Sequence, residues 1–390
     1  MLDKIREEAP IHKTPGNFWV LSRHADVLAV LRDKTSSADS LNVAEGKEPI
    51  GLDSATRSER SDLIAADGGD QRPFLFRDPP DHTRLRGLVQ RAFTPRRIAE
   101  LTPFITDVAR STIARHLDAG PIDAVQEIAF ALPVAVICEM LAIPKGDHES
   151  FQHHSALLAR GLDPDFMLSD ADRSERDEAL MHFVLYFSAL VDERRKAPGD
   201  DLLSALVAAR DGEDALSEGE LLSTAILLLV AGHETTMNLI SGSMLALSGD
   251  LGAQRDLRER GVDRAAVDEL LRFVSPVQLT GRTLLADQTV GDETLEAGSF
   301  VMLLLAAANR DPAAFERPAT LDLTRDPNPQ IGFGFGLHHC LGSPLARLEA
   351  QVVLDELLAM TSSFDVVGET PYRPNVVLRG LAELPVELRS

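Results

Sequence analysis

The 390-residue chain is 44% hydrophobic and 26% charged, which excludes a largely disordered or low-complexity protein and predicts a real core; length alone would allow two or three domains. Thirty-nine Lys and Arg against 61 Asp and Glu leave a net charge of −22, which argues against a protein whose main work is gripping nucleic acid or an anionic membrane surface. Two cysteines cannot make a disulfide framework, no apolar run approaches the roughly 18 residues of a membrane span, and the opening MLDKIREEAPIHK lacks a signal-peptide core, so a soluble cytoplasmic protein is expected.

In chain order, Phe18 to Leu21 reads as a strand and His24 to Leu31 as a helix. From about Thr35 to Arg72 the sequence is rich in Ser, Asp, Gly and Ala without periodicity, which makes it a candidate substrate lid. After Pro79-Pro80 the pattern is mainly helical to about Gly252. Its clearest element opens at Ser217-Glu218-Gly219-Glu220, where Ser and a Glu three positions on predict a capping box, and runs to about Ser248. A helix of about 30 residues is roughly 45 Å long and must cross a core. Its centre nevertheless reads Ala231-Gly232-His233-Glu234-Thr235-Thr236, with a carboxylate and hydroxyls where apolar groups would pack better, so polar chemistry is expected there.

Another helix covers Arg264 to Phe273, and strand-like sequence after Ser275-Pro276 predicts a β-rich part over about 277–305. A Pro-rich loop then leads to the Gly-rich segment 332–342 and a last helix from about Leu341 to Met360. With no internal repeat, the expected architecture is a single domain over residues 1–390, mainly α with a smaller β region.

Cys340 lies in Phe333-Gly-Phe-Gly-Leu-His-His-Cys-Leu-Gly342, between loop glycines that let backbone approach a flat ligand and helix amides that favour a thiolate. The segment suits a metal-ligating cysteine, whereas Cys138, in an apolar helical stretch, reads as core packing.

The segment resembles the cysteine-ligand loop of the cytochromes P-450, haem-thiolate monooxygenases whose signature is F-x-x-G-x-[HR]-x-C-x-G; Phe333, Gly336, His338, Cys340 and Gly342 fill every fixed position. Further likenesses recur in order from about Asp78 onward. Residues 231–236 are similar to the family's oxygen-binding helix segment, Glu269-Leu-Leu-Arg272 to its E-x-x-R element, and Asp78-Pro-Pro-Asp-His-Thr-Arg-Leu-Arg86 to its propionate-binding helix.

The resemblance implies a cytochrome P-450 fold with haem b buried between the long helix and the cysteine loop, its iron ligated by Cys340. It implies cofactor contacts from Ala231, Gly232, Phe333 and Gly342, and a clamp on the two haem propionates from His82, Arg86, Arg282 and His338. Glu234 would be the acid that passes protons in and Thr235 the alcohol that steadies the oxygen. The implied role of Glu269 and Arg272 is a buried ion pair bracing the loop, completed by Arg325, with Arg310 and Arg317 as alternatives.

The implied activity is insertion of one oxygen atom from O2 into a hydrophobic small molecule, by hydroxylation or epoxidation. A separate ferredoxin or flavodoxin with its reductase would supply electrons. The segment Arg77 to Arg97, with six Arg and two Asp, carries a net +4 and is a candidate docking patch for that partner. Two other readings compete. A helical zinc site would need histidine at 237, where the chain has Met237. A non-catalytic haem-thiolate gas sensor would need neither Glu234 nor Thr235.

Overall fold

The computed structural model describes residues 2–49, 72–163, 167–211 and 214–390. The first part contains α1 (Leu2–Glu8), β1 (Ile11–Lys13), β2 (Trp19–Leu21), α2 (His24–Arg32) and β3 (Ser36–Ser37). Most of the candidate lid falls on residues 50–71, outside the described residues. A helical run follows: α3 (Asp81–Ala92), α4 (Pro95–Glu100), α5 (Thr102–His116), the short β4 (Ile122–Asp123), α6 (Ala131–Met140), α7 (His148–Arg160), α8 (Asp170–Lys196) and α9 (Leu202–Ala208). The small strands β5 (Arg210–Asp211) and β6 (Asp214–Ala215) precede α10 (Glu218–Leu247), α11 (Leu251–Arg260) and α12 (Arg264–Val274). The β-rich part holds β7 (Thr280–Leu284), β8 (Gln288–Val290), β9 (Glu293–Leu295) and β10 (Phe300–Leu303). After α13 (Leu305–Ala308) and the Gly-rich loop come α14 (Ser343–Met360), β11 (Ser363–Val366) and β12 (Pro385–Arg389).

Local chemistry explains where the principal elements begin and stop. The Ser217 hydroxyl accepts from the Glu220 amide at 3.3 Å while the Glu220 carboxylate accepts from the Ser217 amide at 2.8 Å, the capping box that starts α10. Asp263 caps α12 by accepting from the Ala266 amide at 2.8 Å, and Ser275 ends it in the left-handed region, at φ 45°. Gly291, at φ 58°, makes the tight β8–β9 turn.

α10 is the axis of the main core, packing against α6, α7, α8, α12 and α14. A second core fills the space between α2 and a five-stranded sheet ordered β1-β2-β10-β7-β3. Here β10 runs parallel to β2, with Val301 opposite Trp19, and antiparallel to β7, with Val301 opposite Arg282. This register brings β2, near the start of the chain, beside residues some 280 positions later and fixes Arg282 on an inner strand. No helix among the described residues is long and apolar enough to cross a membrane.

Two buried carboxylates behave differently. Glu269, fully buried, receives Arg272 at 2.7 and 2.8 Å and Arg325 at 3.0 Å, together with the Asp322 amide at 2.9 Å. Arg325 therefore completes the ion pair; Arg310 instead donates to the Phe273 carbonyl and lies over the Phe273 ring. Arg272 also grips the carbonyls of Asn309 and Pro318, and Asn309 Oδ1 accepts from the Ile331 amide at 2.9 Å, so the network reaches the residue just before the Gly-rich loop. Glu349, on α14 and 1% exposed, has a buried oxygen without a partner among the described residues, and burial pushes its pKa well above the usual 4.5.

Glu269→Ala leaves two guanidinium groups buried without their counter-charge and should cost about 3–5 kcal/mol in urea unfolding; a loss near zero would contradict the network's closure. Because the folded-state pKa of Glu349 is raised, its contribution is fully present below about pH 4.5 and declines as pH rises above it. Glu349→Gln should therefore match the parent protein in urea midpoint near pH 4.5 and exceed it at pH 8. Parallel pH profiles for the two proteins would disprove this.

Candidate functional site

Each expected site residue sits on an element whose geometry is now defined. On α10, Leu227, Leu228, Ala231 and Thr235 are accessible although their neighbours Leu229, Val230, His233 and Glu234 are buried. Positions three and four apart share one helix face, so these form an accessible stripe in the middle of the core's central helix, as on the wall of an interior cleft. Thr235 Oγ1 donates to the Ala231 carbonyl at 2.8 Å, which leaves its oxygen lone pairs to face the cleft. A Cβ on Gly232 would lie 3.3 Å from Ile137, so the glycine keeps the helix close to α6.

Cys340 terminates a loop that is closed by its own amide, which donates to the Phe333 carbonyl at 2.9 Å. Gly336 makes the bend at φ 72°, and a side chain there would meet the Leu31 carbonyl at 2.6 Å, so only glycine fits. The Phe333 ring lies under Arg347 at 4.5 Å, and Arg347 is held by Asp268 at 2.8 Å. The Cys340 side chain is accessible yet enclosed by protein on most sides. Burial raises its thiol pKa, and the opposing amides of Gly342 and Ser343 and the charge on Arg86 do not outweigh it. The helix-terminus effect expected from the sequence is present but loses to desolvation, a balance that coordination to a metal would reverse. Cys138, fully buried with its thiol pushed up to about 12, is core as expected.

Four basic side chains from three elements converge beside this loop. His82 and Arg86 lie on α3, Arg282 on β7 and His338 in the loop itself. The His82 and His338 rings are 4.2 Å apart, and Arg86 donates to the His339 carbonyl at 2.6 Å. Burial, then the charges on Arg282, His82 and Arg86, push His338 down to about 3; burial likewise pushes Arg282 down to about 10. Among the described residues, both ring nitrogens of His82 are buried without a hydrogen-bond partner, and neither Arg86 nor Arg282 has a carboxylate within ion-pair distance. Asp78 is near but is occupied by the Ala38 amide at 2.9 Å and by Ser37 and Asn42. The two guanidiniums would gain a counter-charge from an anion here, and a flat group bearing carboxylates at one edge and a thiolate-seeking metal at its centre fits the donor set.

The remaining expectations divide. Glu234, three residues on from Ala231 at the edge of the stripe, is buried and pairs with Arg373 at 2.5 Å. His233, given no role from sequence, is tied to Ser155 at 3.0 Å and to the Leu229 carbonyl at 2.8 Å. Arg373, Arg347 and Ser155 escaped the sequence reading because nothing local marks them; Arg373 is 139 positions from the acid it pairs with. The expected docking patch shrinks: Arg77 and Arg84 turn to Glu220, and Arg86 turns to the site, leaving Arg91, Arg96 and Arg97 on the outside, where Arg96 pairs with Glu100. Among the described residues no cluster of three or more His, Cys, Asp and Glu is arranged to hold a metal ion.

Comparison with known proteins agrees with this geometry. The cytochrome P450 family model matches residues 254–366. Vitamin D(3) 25-hydroxylase of Pseudonocardia autotrophica is 38% identical, the match covering 98% of this chain and 92% of that protein. Mycinamicin IV hydroxylase/epoxidase of Micromonospora griseorubida is 39% identical over 98% of this chain and 94% of its own. The solved structure of the Bacillus subtilis bacillaene polyketide synthase cytochrome P450 PksS superposes with a TM-score of 0.87 at 36% identity, covering 100% of this chain and 96% of that one. With its thiol loop, its basic pole and full-length likeness to these proteins, the chain belongs to the cytochrome P450 family and is a P450 monooxygenase.

Proposed function

We propose that haem b sits between α10 and the Gly-rich loop, with Cys340 as the iron ligand and His82, Arg86, Arg282 and His338 paired to its propionates. The observation that carries this is the convergence of four basic groups beside the cysteine, with both nitrogens of His82 buried and unpartnered. When bound, the haem supplies redox chemistry at iron, and a thiolate ligand favours O–O cleavage.

The chain's own residues do the rest. The apolar stripe at Leu227, Leu228 and Ala231 excludes water and accepts a hydrophobic substrate beside Thr235. Two relatives are named for action on vitamin D(3) and mycinamicin IV, which supports a bulky, largely apolar molecule here. Thr235, its hydroxyl hydrogen committed to the Ala231 carbonyl, presents an acceptor oxygen to the cleft, and Glu234 one residue earlier holds and releases the protons that oxygen reduction consumes. Electrons come from a separate ferredoxin or flavodoxin with its reductase, docking near the exposed Phe335 and Leu337 of the cysteine loop. We also place the enzyme in the cytoplasm, a setting that its two free cysteines support.

Reduced holoprotein under carbon monoxide should show the far red-shifted Soret band of thiolate ligation, and Cys340→Ser should lose it. A conventional band in the parent protein would remove Cys340 from the iron. Once a spectral binding screen has supplied a substrate, Thr235→Ala should bind haem and that substrate as before but release most reducing equivalents as peroxide. Full coupling of NAD(P)H to product in this variant would contradict the role given to the hydroxyl.

A further inference from the structure

The acid at the centre of α10 is held by a residue outside every motif in the sequence. Glu234 is 2% exposed, and among the described residues the only side chain donating a hydrogen bond to it is Arg373, whose Nη1 lies 2.5 Å from Oε1. His233 does not share this task. Its Nδ1 lies 2.8 Å from the Leu229 carbonyl and must carry the ring hydrogen, so Nε2 is an acceptor, served by the Ser155 hydroxyl at 3.0 Å. Burial lowers the imidazole pKa and keeps it in this neutral form, so its 3.8 Å approach to Glu234 Oε2 is a contact without a shared proton.

Arg373 is placed from several sides. Its amide donates to the Gly380 carbonyl at 2.9 Å, and Nη2 rests 3.8 Å from Met237 Sδ, one turn along α10 from Glu234. A Cβ added at Gly380 would collide with the Asn238 side chain, so this segment passes close to α10. Three residues beyond Arg373, the amides of Val376 and Val377 donate to the Asp163 carboxylate at 3.0 and 2.8 Å. Asp163 is 2% exposed, lies just past the end of α7 and is paired with Arg160. The Val377 carbonyl in turn accepts from the Gln278 amide at 2.9 Å.

We propose that Arg373 is the positioning residue of the proton route: it orients the Glu234 carboxylate, and Asp163 fixes Arg373 by clamping the segment that carries it. This rests on the reading of Glu234 given above. In each passage the Glu234 carboxylate takes one proton from water and gives it to the acceptor beside Thr235. It then returns to the ionised form and to Arg373, with no electron exchanged. Arg373 supplies the counter-charge that a buried carboxylate needs at the start and end of that passage, and Asp163 links its position to the end of α7.

The test uses full-length holoenzyme with a ferredoxin, its reductase and NADPH, following substrate-free oxygen consumption to peroxide, which takes up protons without requiring the unknown substrate. Arg373→Gln should slow this about 10-fold, part of the roughly 100-fold that a positioned proton-transfer group supplies. It should also raise the solvent deuterium isotope effect, while Arg373→Lys restores both. The double variant with Glu234→Gln should be no slower than Glu234→Gln alone. Independently of activity, a double-mutant cycle in urea unfolding should find Arg373 and Glu234 coupled, and Asp163→Ala should speed amide exchange at Val376 and Val377. An unimpaired Glu234→Gln overturns the reading of Glu234 and this proposal with it. An impaired Glu234→Gln beside an unimpaired Arg373→Gln overturns this proposal alone. Faster exchange in Asp163→Ala with an unchanged isotope effect overturns the clamp.

Discussion

The Glu269 carboxylate is the constraint on which the site depends. Two guanidinium groups and a backbone amide converge on it inside a dry region, and the same guanidiniums carry the carbonyls of Asn309, Glu316, Pro318 and Thr320. A buried ion pair is a poor source of net stability, because desolvation offsets most of the attraction. Its value here is geometric. A loop from 309 to 331 with little regular structure is pinned by directional bonds to one rigid helix, and the end of that loop sets where the Gly-rich segment and Cys340 begin. Apolar packing of the same volume would hold α12 equally well but would not dictate the loop's path.

The electrostatics of the site point in one direction. The chain is strongly acidic overall, yet among the described residues it assembles His82, Arg86, Arg282 and His338 with no carboxylate in ion-pair contact, and burial lowers both histidine pKa values. Burying the two guanidiniums together is unfavourable, so a ligand of opposite sign bound beside them would add stability. The thiol follows the same logic: desolvation raises its pKa and coordination to a metal reverses that. On the proposed reading, a cofactor held at both poles would couple its binding to folding.

What the sequence made legible was the chemistry that is local. The capping box, the polar interruption of α10, the glycines of the cysteine loop and the helix carrying Glu269 and Arg272 are each written within a dozen residues, and each lies where the pattern put it. Contacts closed across the chain were legible only through the resemblance, which named Arg325 ahead of Arg310 and Arg317; as letters the three are indistinguishable, and the path of the loop brings the first to Glu269. The strands β11 and β12 are short, and β12 pairs with β4 more than 250 positions away, so no periodic run announced them. The +4 of the Arg77 to Arg97 segment was misleading because charge counted along a chain ignores direction: Arg77 and Arg84 turn inward to Glu220, which itself serves in the cap of α10.

α10 shows how a core helix tolerates polar side chains without solvent. Thr235, Thr236, Ser241 and Ser243 each donate to the carbonyl four residues back, which satisfies the hydroxyl hydrogen at no cost in packing. His233 reaches Ser155, and Glu234 reaches Arg373. Every hydroxyl in this set is therefore donor-satisfied and acceptor-open. In three of them the open lone pairs face packed side chains and do nothing. In Thr235 they face the accessible stripe. The difference between an inert helix hydroxyl and a reactive one is thus set by which face of the helix it occupies, a matter of about 100° of rotation between neighbouring residues. That single step of the helix separates Thr235 from Thr236, and it places the acid one residue before the acceptor, buried at the edge of the stripe that Thr235 occupies.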